Sequence, residues 1–422
     1  MPRLSARTRT LGPAFDLLAN YRPGGFFFER AGVGVSALGI AARIGVDGGD
    51  DRLWLLAREV EACLREVHRS DRGVAPIAVG AIPFDAGWPA HLVVPERAVI
   101  RRTPGDTRQL DVVPEGLAPL HPERERWIGR ATPHDAFEDI DLRPDPEPDA
   151  YIAAVREATR RIRAGRLRKV VLARSIMVAA DRTLDAKQLL WRLRAVDPDC
   201  YVFASPELSL DAGELVPVGD LVGASPELLV RKQGTRVAVT PLAGSAPRFG
   251  DPVDDHASAE RLFASAKDRE EHALVVVDVA RALEPLCEEL EHPPEPELLG
   301  TANFWHLATP FRGRLKPSVR SALDLVAALH PTPAVCGTPR EAASDLLAEL
   351  EPLDRGCYAG PVGWVDADGD GEWAIALRCA EITGTTARVF AGAGIVADSD
   401  PEQELDETDR KFRALLDALR WG

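Results

Sequence analysis

The chain has 422 residues, 45% hydrophobic and 28% charged, with 51 Lys+Arg against 66 Asp+Glu and a formal net charge of −15. Such a length can bury a large core, while the acidic balance argues against a nucleic-acid phosphate footprint or a polybasic membrane patch. No uncharged apolar run approaches the ~18–20 residues of a membrane span. The six cysteines (63, 200, 287, 336, 357 and 379) form no Cys-x-x-Cys pair, which reads as reduced thiols and no zinc site. Arg3, Arg7 and Arg9 lack the apolar core and small-residue cleavage site of a secretory signal. The default expectation is a cytoplasmic enzyme.

In chain order, Phe26–Phe28, Ile77–Ile82 and Leu92–Val94 read as strands, and Arg52–His68 carries helical spacing through Leu53, Leu56, Val60, Cys63 and Val67. From Pro114 to Pro148 the chain is rich in Pro, Asp and Glu, an exposed connection and the best place for a boundary. A helix follows over Asp149–Ala164, then a β-branched strand led by Lys169. A Leu-rich helix spans Leu184–Val196. Strands are expected around Tyr201–Ala204, Leu215–Val222 and Leu228–Val239. A long helical stretch covers Ser258–Leu290, ended early or kinked by Pro285. A helix over Glu341–Leu350 precedes strands at Gly360–Asp366, Glu372–Ala380 and Thr386–Phe390, and a last helix covers Pro401–Leu419. Hairpins mixed with helices predict an α+β antiparallel architecture.

Six of the basic residues are lysines (169, 187, 232, 267, 316 and 411) and the other 45 are arginines. Lysine alone among the two is readily neutralised when buried and then acts as a base. At the mouth of an apolar strand Lys169 loses hydration, which depresses its pKa; a surface Lys snorkelling from a strand end has the same sequence. Asp268 with Glu271, and Glu404 with Glu407, are spaced by three and share helix faces. Each pair alone reads as a solvated face, yet four carboxylates on two helices can also hold a hard cation such as Mg²⁺. Lys411, four residues beyond Glu407, pairs with it or reaches an anionic substrate. Ala391-Gly392-Ala-Gly394 after a strand is either a bulge or a close backbone approach to an anion. Arg378 interrupts the apolar strand Ala374–Ala380 and there needs an anionic partner. Asp366-Ala-Asp368-Gly-Asp370-Gly371 opens like a calcium loop, but Leu377 stands where a bidentate Glu belongs, so it reads as a hairpin turn.

Ala204-Ser-Pro-Glu207-Leu and Ala224-Ser-Pro-Glu227-Leu are identical pentapeptides twenty residues apart. Only Glu227 is followed by Leu-Leu-x-Arg-Lys and then Pro241-Leu-Ala-Gly244-Ser245, so Glu227 is the functional candidate and Glu207 is expected in a surface loop.

Taken together, nine segments resemble the chorismate-utilising enzymes that serve menaquinone, siderophore and tryptophan synthesis, and among them the isochorismate synthases. In order they are Lys169-Val-Val-Leu-Ala-Arg, Gly223-Ala-Ser-Pro-Glu227-Leu-Leu, Pro241-Leu-Ala-Gly244-Ser245, Lys267-Asp268 with Glu271-His272, Phe304-Trp-His306-Leu-Ala-Thr, His330-Pro-Thr-Pro, Glu372-Trp with Leu377-Arg378-Cys-Ala, Ala391-Gly392-Ala-Gly394-Ile-Val, and Glu407-Thr with Lys411. Gly80-Ala-Ile-Pro-Phe-Asp85 extends the match toward the N-terminus.

The resemblance implies one large α+β fold in which two antiparallel sheets form a central sandwich flanked by helices. Residues 1–145 form the half that contributes sheet and helices, and 146–422 the chorismate-binding catalytic region. It implies Mg²⁺ on the ring carboxylate of chorismate, held by Glu271 and Glu407, with Asp268 and Glu404 behind them through water. It implies Lys169 as general base and Glu227 as general acid. Arg378, Gly392 and Lys411 would meet the substrate carboxylates, and Gly244, Ser245 and His306 the ring region.

Among sister activities, aminodeoxychorismate synthases carry a nucleophilic Lys where this chain has Ala243. Anthranilate synthases lack the Lys at 169. Salicylate synthase, which eliminates pyruvate after forming isochorismate, shares Lys169, Glu227 and the acidic residues. Ser245 followed by Ala246-Pro247-Arg248 favours stopping at isochorismate, whereas Ala266 departs from the Glu that some isochorismate synthases carry. A catalytically silent chorismate-binding subunit is the reading from another class, and it needs the loss of a base, acid or metal ligand that this chain retains. The expected partner is chorismate alone, with no nucleic acid, membrane or obligate protein partner, and the chain is expected to be a monomer.

Overall fold

A computed structural model describes residues 3–12, 15–71, 73–117, 140–211 and 214–420. Most of the Pro-rich connection lies outside the described residues. Its last part is a strand, Ile140–Asp145, laid antiparallel against the far end of the Lys169–Ala180 strand, with Asp145 opposite Ser175.

Two large sheets carry the architecture, and both mix strands from either side of residue 145. The thirteen-stranded sheet runs from Ile140–Asp145 and Lys169–Ala180 through Thr386–Ile395, Cys379–Thr383, Glu214–Ser225 and Tyr201–Asp211 to the N-terminal strands that begin with Phe26–Arg30. The nine-stranded sheet joins Leu228–Gln233, Gly371–Ile375 and Pro361–Asp366 to Ile77–Ala81 and Ala90–Val94. A third sheet of three strands holds Leu242–Pro247 beside Phe304–Ala308. Among the described residues, paired strands are antiparallel except the short contact of Leu4–Leu11 with His68–Arg69. The fold is α+β, as the mixture of hairpins and helices implies.

Alternation along the strands puts one row of side chains between the sheets. Phe28, Tyr201 and Phe203 from the larger sheet meet Val79, Val230 and Trp373 from the smaller in one buried cluster. The outer face of the larger sheet is covered by helices Ala186–Val196 and Pro401–Arg420, through Leu190, Phe412 and Leu415 on Val389. Helices Pro148–Arg163 and Arg340–Leu350 cover its other end, through Val155 and Leu346 on Val170 and Leu172.

Four local expectations change. The Ser258–Leu290 stretch is two helices, Pro252–Ala264 and Ala266–Leu283, because the Ser265 side chain accepts the N–H of Asp268 and starts a new helix. Beyond a short turn at Pro285 the chain is the strand Cys287–Glu291. The Glu372–Ala380 run is two strands, Gly371–Ile375 in the smaller sheet and Cys379–Thr383 in the larger. Arg378 stands in the break between them at φ +48°, not on a strand face. Glu207 lies within the strand Tyr201–Asp211 opposite Gly219, not in a surface loop. Ala391–Gly394 is part of the strand Thr386–Ile395, in unbroken register with Val171–Arg174, so it is neither bulge nor loop.

The acidic turn between Pro361–Asp366 and Gly371–Ile375 is a hairpin, as its Leu377 position implies. Asp366 accepts the N–H groups of Asp368 and Asp370, and Arg102, Arg69 and Lys232 pair with Asp366, Asp368 and Asp370.

Candidate active site

Nine of the twelve candidate residues line a single cavity at the end of the sandwich: Glu227, Gly244, Ser245, Glu271, His306, Arg378, Gly392, Glu407 and Lys411. Their elements explain the convergence. Glu227 sits where the chain leaves Glu214–Ser225 in the larger sheet for Leu228–Gln233 in the smaller, and Arg378 where it returns. Both crossovers therefore fall at the seam between the sheets. Leu242–Pro247 brings Gly244 and Ser245, Ala266–Leu283 brings Glu271, and Pro401–Arg420 brings Glu407 and Lys411 on successive turns.

Lys169, Asp268 and Glu404 stand behind the lining residues. Lys169 is fully buried, and its Nζ lies 3.0 Å from Oε1 of Glu271, off the direction of a hydrogen bond. Glycines make this approach feasible. A Cβ on Gly394 would lie 2.1 Å from Glu271 Oε1 and 3.1 Å from Lys169 Cε. A Cβ on Gly337, at φ +143°, would lie 2.3 Å from the Lys169 carbonyl. Gly392 gives its carbonyl to Lys411 Nζ at 2.8 Å, so the glycine run supplies clearance and an acceptor.

Three lysines hold three of the four acidic residues. Lys169 meets Glu271, Lys267 Nζ donates to Glu404 at 2.6 Å, and Lys411 Nζ donates to Glu407 at 2.7 Å. Ser245 Oγ also donates to Glu407, at 3.1 Å. Burial works against ionisation of Glu407, but Lys411, Lys267 and Ser245 outweigh it and hold the carboxyl low. Glu404 is raised by burial and then by the charge of Glu407. Burial also raises Asp268, with Glu271 and Glu407 adding to it and Ser265 and Lys267 opposing. Among the described residues, no three His, Cys, Asp or Glu side chains draw close enough to enclose a metal.

Glu227 is 3% exposed, and burial pushes its carboxyl up to about 8 against the pull of the Leu242 N–H, Lys169 and Lys411. It is a protonated acid at neutral pH, within electrostatic reach of both lysines. His306 is kept neutral by burial and by Arg378 and Lys411. Its Nε2 accepts from Arg378 Nη2 at 2.5 Å, while Arg378 Nη1 is buried without a hydrogen bond, 4.0 Å from Asp197. A guanidinium so incompletely used retains a buried N–H with capacity to donate to an anion.

Sequence reasoning missed the opposite, apolar part of the lining: Val171, Leu377, Tyr358 and Phe390, the last two stacked with ring centroids 4.9 Å apart, and Arg355. Tyr358 and Arg355 lie in a stretch without periodicity, and no sequence signal marks them.

Residues 11–420 match the family of chorismate binding enzymes. The chain belongs to this family. Within it, the isochorismate synthase DhbC of Bacillus subtilis is 41% identical over 406 residues, 96% of each protein. The isochorismate synthase EntC of Escherichia coli K12 is 40% identical over 344 residues, 82% of this chain and 81% of that protein. The crystal structure of DhbC from Bacillus anthracis superposes with a TM-score of 0.81 at 35% identity, covering 96% of this chain and 99% of that one. The family signalled by nine ordered motifs over residues 169–411 thus extends through nearly the whole chain. Among the described residues no helix is long and apolar enough to cross a membrane.

Proposed function

We propose that this protein is an isochorismate synthase, an isomerase that converts chorismate to isochorismate. The observation that carries the reading is Glu227, a carboxyl raised to about 8 by burial in a cavity it shares with Lys411 and Arg378, with Lys169 close enough to pull on its charge. The reaction adds water at ring carbon 2, shifts the double bonds and expels the hydroxyl at carbon 4. Water is a poor nucleophile and hydroxide a poor leaving group, so both a base and an acid are required. Lys169 takes a proton from the attacking water and Glu227 gives one to the departing hydroxyl. One water is consumed and one released, and the two side chains then exchange a proton through solvent to reset. Each role typically supplies about 10²–10⁴-fold in rate.

Arg378, beside neutral His306, and Lys411 would bind the substrate carboxylates, with Gly244, Ser245 and Gly392 bounding the ring. Mg²⁺ fits the donor set: a small hard cation takes one or two protein carboxylates and completes its shell with water and substrate oxygens. Besides the proposed acid Glu227, the acidic lining residues are Glu271 and Glu407, with Asp268 and Glu404 as water-linked support. When bound, Mg²⁺ would neutralise charge on a dianionic substrate entering an acidic protein. Nine of the twelve candidate residues share one cavity within a single chain, and we infer that the protein acts on chorismate as a monomer in the cytoplasm.

Purified protein incubated with chorismate and Mg²⁺ should yield isochorismate, separated by chromatography from salicylate and pyruvate. Salicylate with equimolar pyruvate would instead identify a salicylate synthase, and no turnover a silent binding subunit. Lys169→Ala should abolish product while chorismate still binds; retained turnover removes Lys169 from the role of base.

A further inference from the structure

The strand that carries Lys169 is incompletely paired along one edge. Thr386–Ile395 runs the length of its other edge, from Val170 opposite Ile395 to Ala179 opposite Thr386. On the facing edge, Gly337–Thr338 pairs only with Lys169 and Val170, and Ile140–Asp145 begins at Ser175. Between these, among the described residues, no strand lies beside Val171–Arg174. Backbone donors and acceptors on that side need partners once buried.

The Val171 N–H donates to the Cys336 carbonyl at 2.8 Å, and side chains supply the others. Arg355 Nη2 donates to the Val171 carbonyl at 2.7 Å, and the Ala173 N–H donates to Glu351 Oε2 at 2.9 Å. The two side chains are locked together, Nε to Oε1 at 2.6 Å and Nη2 to Oε2 at 2.7 Å, each 4% exposed. Arg355 Nη1 donates to the Val335 carbonyl at 2.8 Å, tying in the loop that follows His330-Pro-Thr-Pro. The Arg355 guanidinium also lies 4.3 Å from the ring centroid of Phe84, from the N-terminal half of the chain. A buried ion pair is stable only with its remaining hydrogen-bonding capacity filled, and here the filling groups are the Val335 carbonyl and the backbone two and four residues beyond Lys169.

We propose that Glu351 and Arg355 are positioning residues for Lys169: the pair acts as a side-chain rung in place of a missing strand and fixes the height and register of the strand from which Lys169 reaches Glu271. Neither touches Lys169, and the effect travels through Val171 and Ala173. The proposal rests on Lys169 being the base of the isochorismate synthase reaction. It also accounts for the burial of an Arg–Glu pair whose other hydrogen bonds are to backbone groups.

The test is Glu351→Gln, because Glu351 does not line the cavity and the amide turns a donor toward Arg355 or toward the Ala173 N–H. A displacement of the base by about 1 Å costs on the order of 10²-fold, so kcat should fall about 10–100-fold while KM for chorismate and the Mg²⁺ dependence stay within about twofold. Amide hydrogen exchange should quicken at Ala173 and its neighbours and stay slow in Thr386–Ile395. If Glu351→Gln does not fold, Glu351→Asp carries the test, since it keeps the charge but is too short to span Arg355 and the Ala173 N–H together; the same loss of kcat and the same local exchange are expected. Wild-type kcat in the folded variant, or exchange that quickens uniformly across both sheets, overturns the proposal. A parent protein that forms no isochorismate overturns the functional reading instead, and the exchange pattern at Ala173 still decides whether the pair anchors the strand.

Discussion

Replacing Glu227 by Gln separates its chemistry from its environment. Burial moves this carboxyl from 4.5 to about 8, which at about 1.4 kcal/mol per pH unit is about 5 kcal/mol against the charged form. A general acid must carry its proton, so about nine-tenths of the parent enzyme is competent at pH 7 and about one-tenth at pH 9. Initial rates of isochorismate formation at saturating chorismate and Mg²⁺ should therefore drop about tenfold between those pH values. Glu227→Gln should lose about 10²–10⁴-fold and show no decline around pH 8.

A second readout of the same variant needs no turnover. The folded state holds a proton that the unfolded chain releases above 4.5, so this group's contribution is full below 4.5, is lost as pH rises toward about 8, and is flat beyond. The neutral amide has no such dependence. Thermal melting should show the Gln variant gaining on the parent across that window and exceeding it above pH 8. A parent rate unchanged to pH 9.5, together with parallel melting curves for the two proteins, would refute the protonated-acid assignment.

Glu271→Gln should raise the Mg²⁺ concentration for half-maximal rate by about tenfold or more, since one of two carboxylate donors is lost; an unchanged Mg²⁺ titration removes Glu271 from the metal set. Gly394→Ala would place a Cβ 2.1 Å from Glu271 Oε1, over 1 Å inside contact distance. It should cost about 10²-fold in rate with a melting point still cooperative, and normal activity would show that Glu271 is free to move. Arg378→Lys removes the flat two-pronged donor beside His306. It should raise KM for chorismate about 10–100-fold, the range of one charge-assisted hydrogen bond at about 1.5–3 kcal/mol, and a changed kcat with unchanged KM would deny it a carboxylate contact.

Much of the site was legible because its chemistry demands unusual residue types: a lysine heading an apolar strand in an arginine-rich chain, carboxylates spaced by three on helices, and an arginine inside an apolar run. Periodicity also located most helices within two or three residues, as with Arg52–Glu66 and Pro401–Arg420. It failed where a side chain overrides the pattern. The N-cap at Ser265 divides a run that is helical on both sides, and an apolar stretch through Ala376 conceals a change of sheet, because periodicity records burial and not the surface against which a strand is buried. Arg355 was invisible for a related reason: its partners are main-chain carbonyls, which any sequence would supply.

The twin pentapeptides carry that point furthest. Ala204–Leu208 and Ala224–Leu228 have the same five side chains in the same order, and their first residues pair with each other's strand, Ala204 opposite Val222 and Val202 opposite Ala224. Local propensity cannot distinguish them. The first continues as strand within the larger sheet, where Glu207 meets Glu381 and burial raises both carboxyls. The second ends its strand at Ser225, whose Oγ accepts the Glu227 N–H, and the chain then steps into the smaller sheet at Leu228. What turns one glutamate into an acid at the cavity is thus the hydrophobic run after it: Leu228, Leu229 and Val230 are buried in the core, whereas Leu208 is followed by Ser, Leu and Asp. Exchanging the segments after the two pentapeptides should move the crossover, and with it the acid, which makes the downstream burial pattern, and not the motif, the determinant of where the chemistry sits.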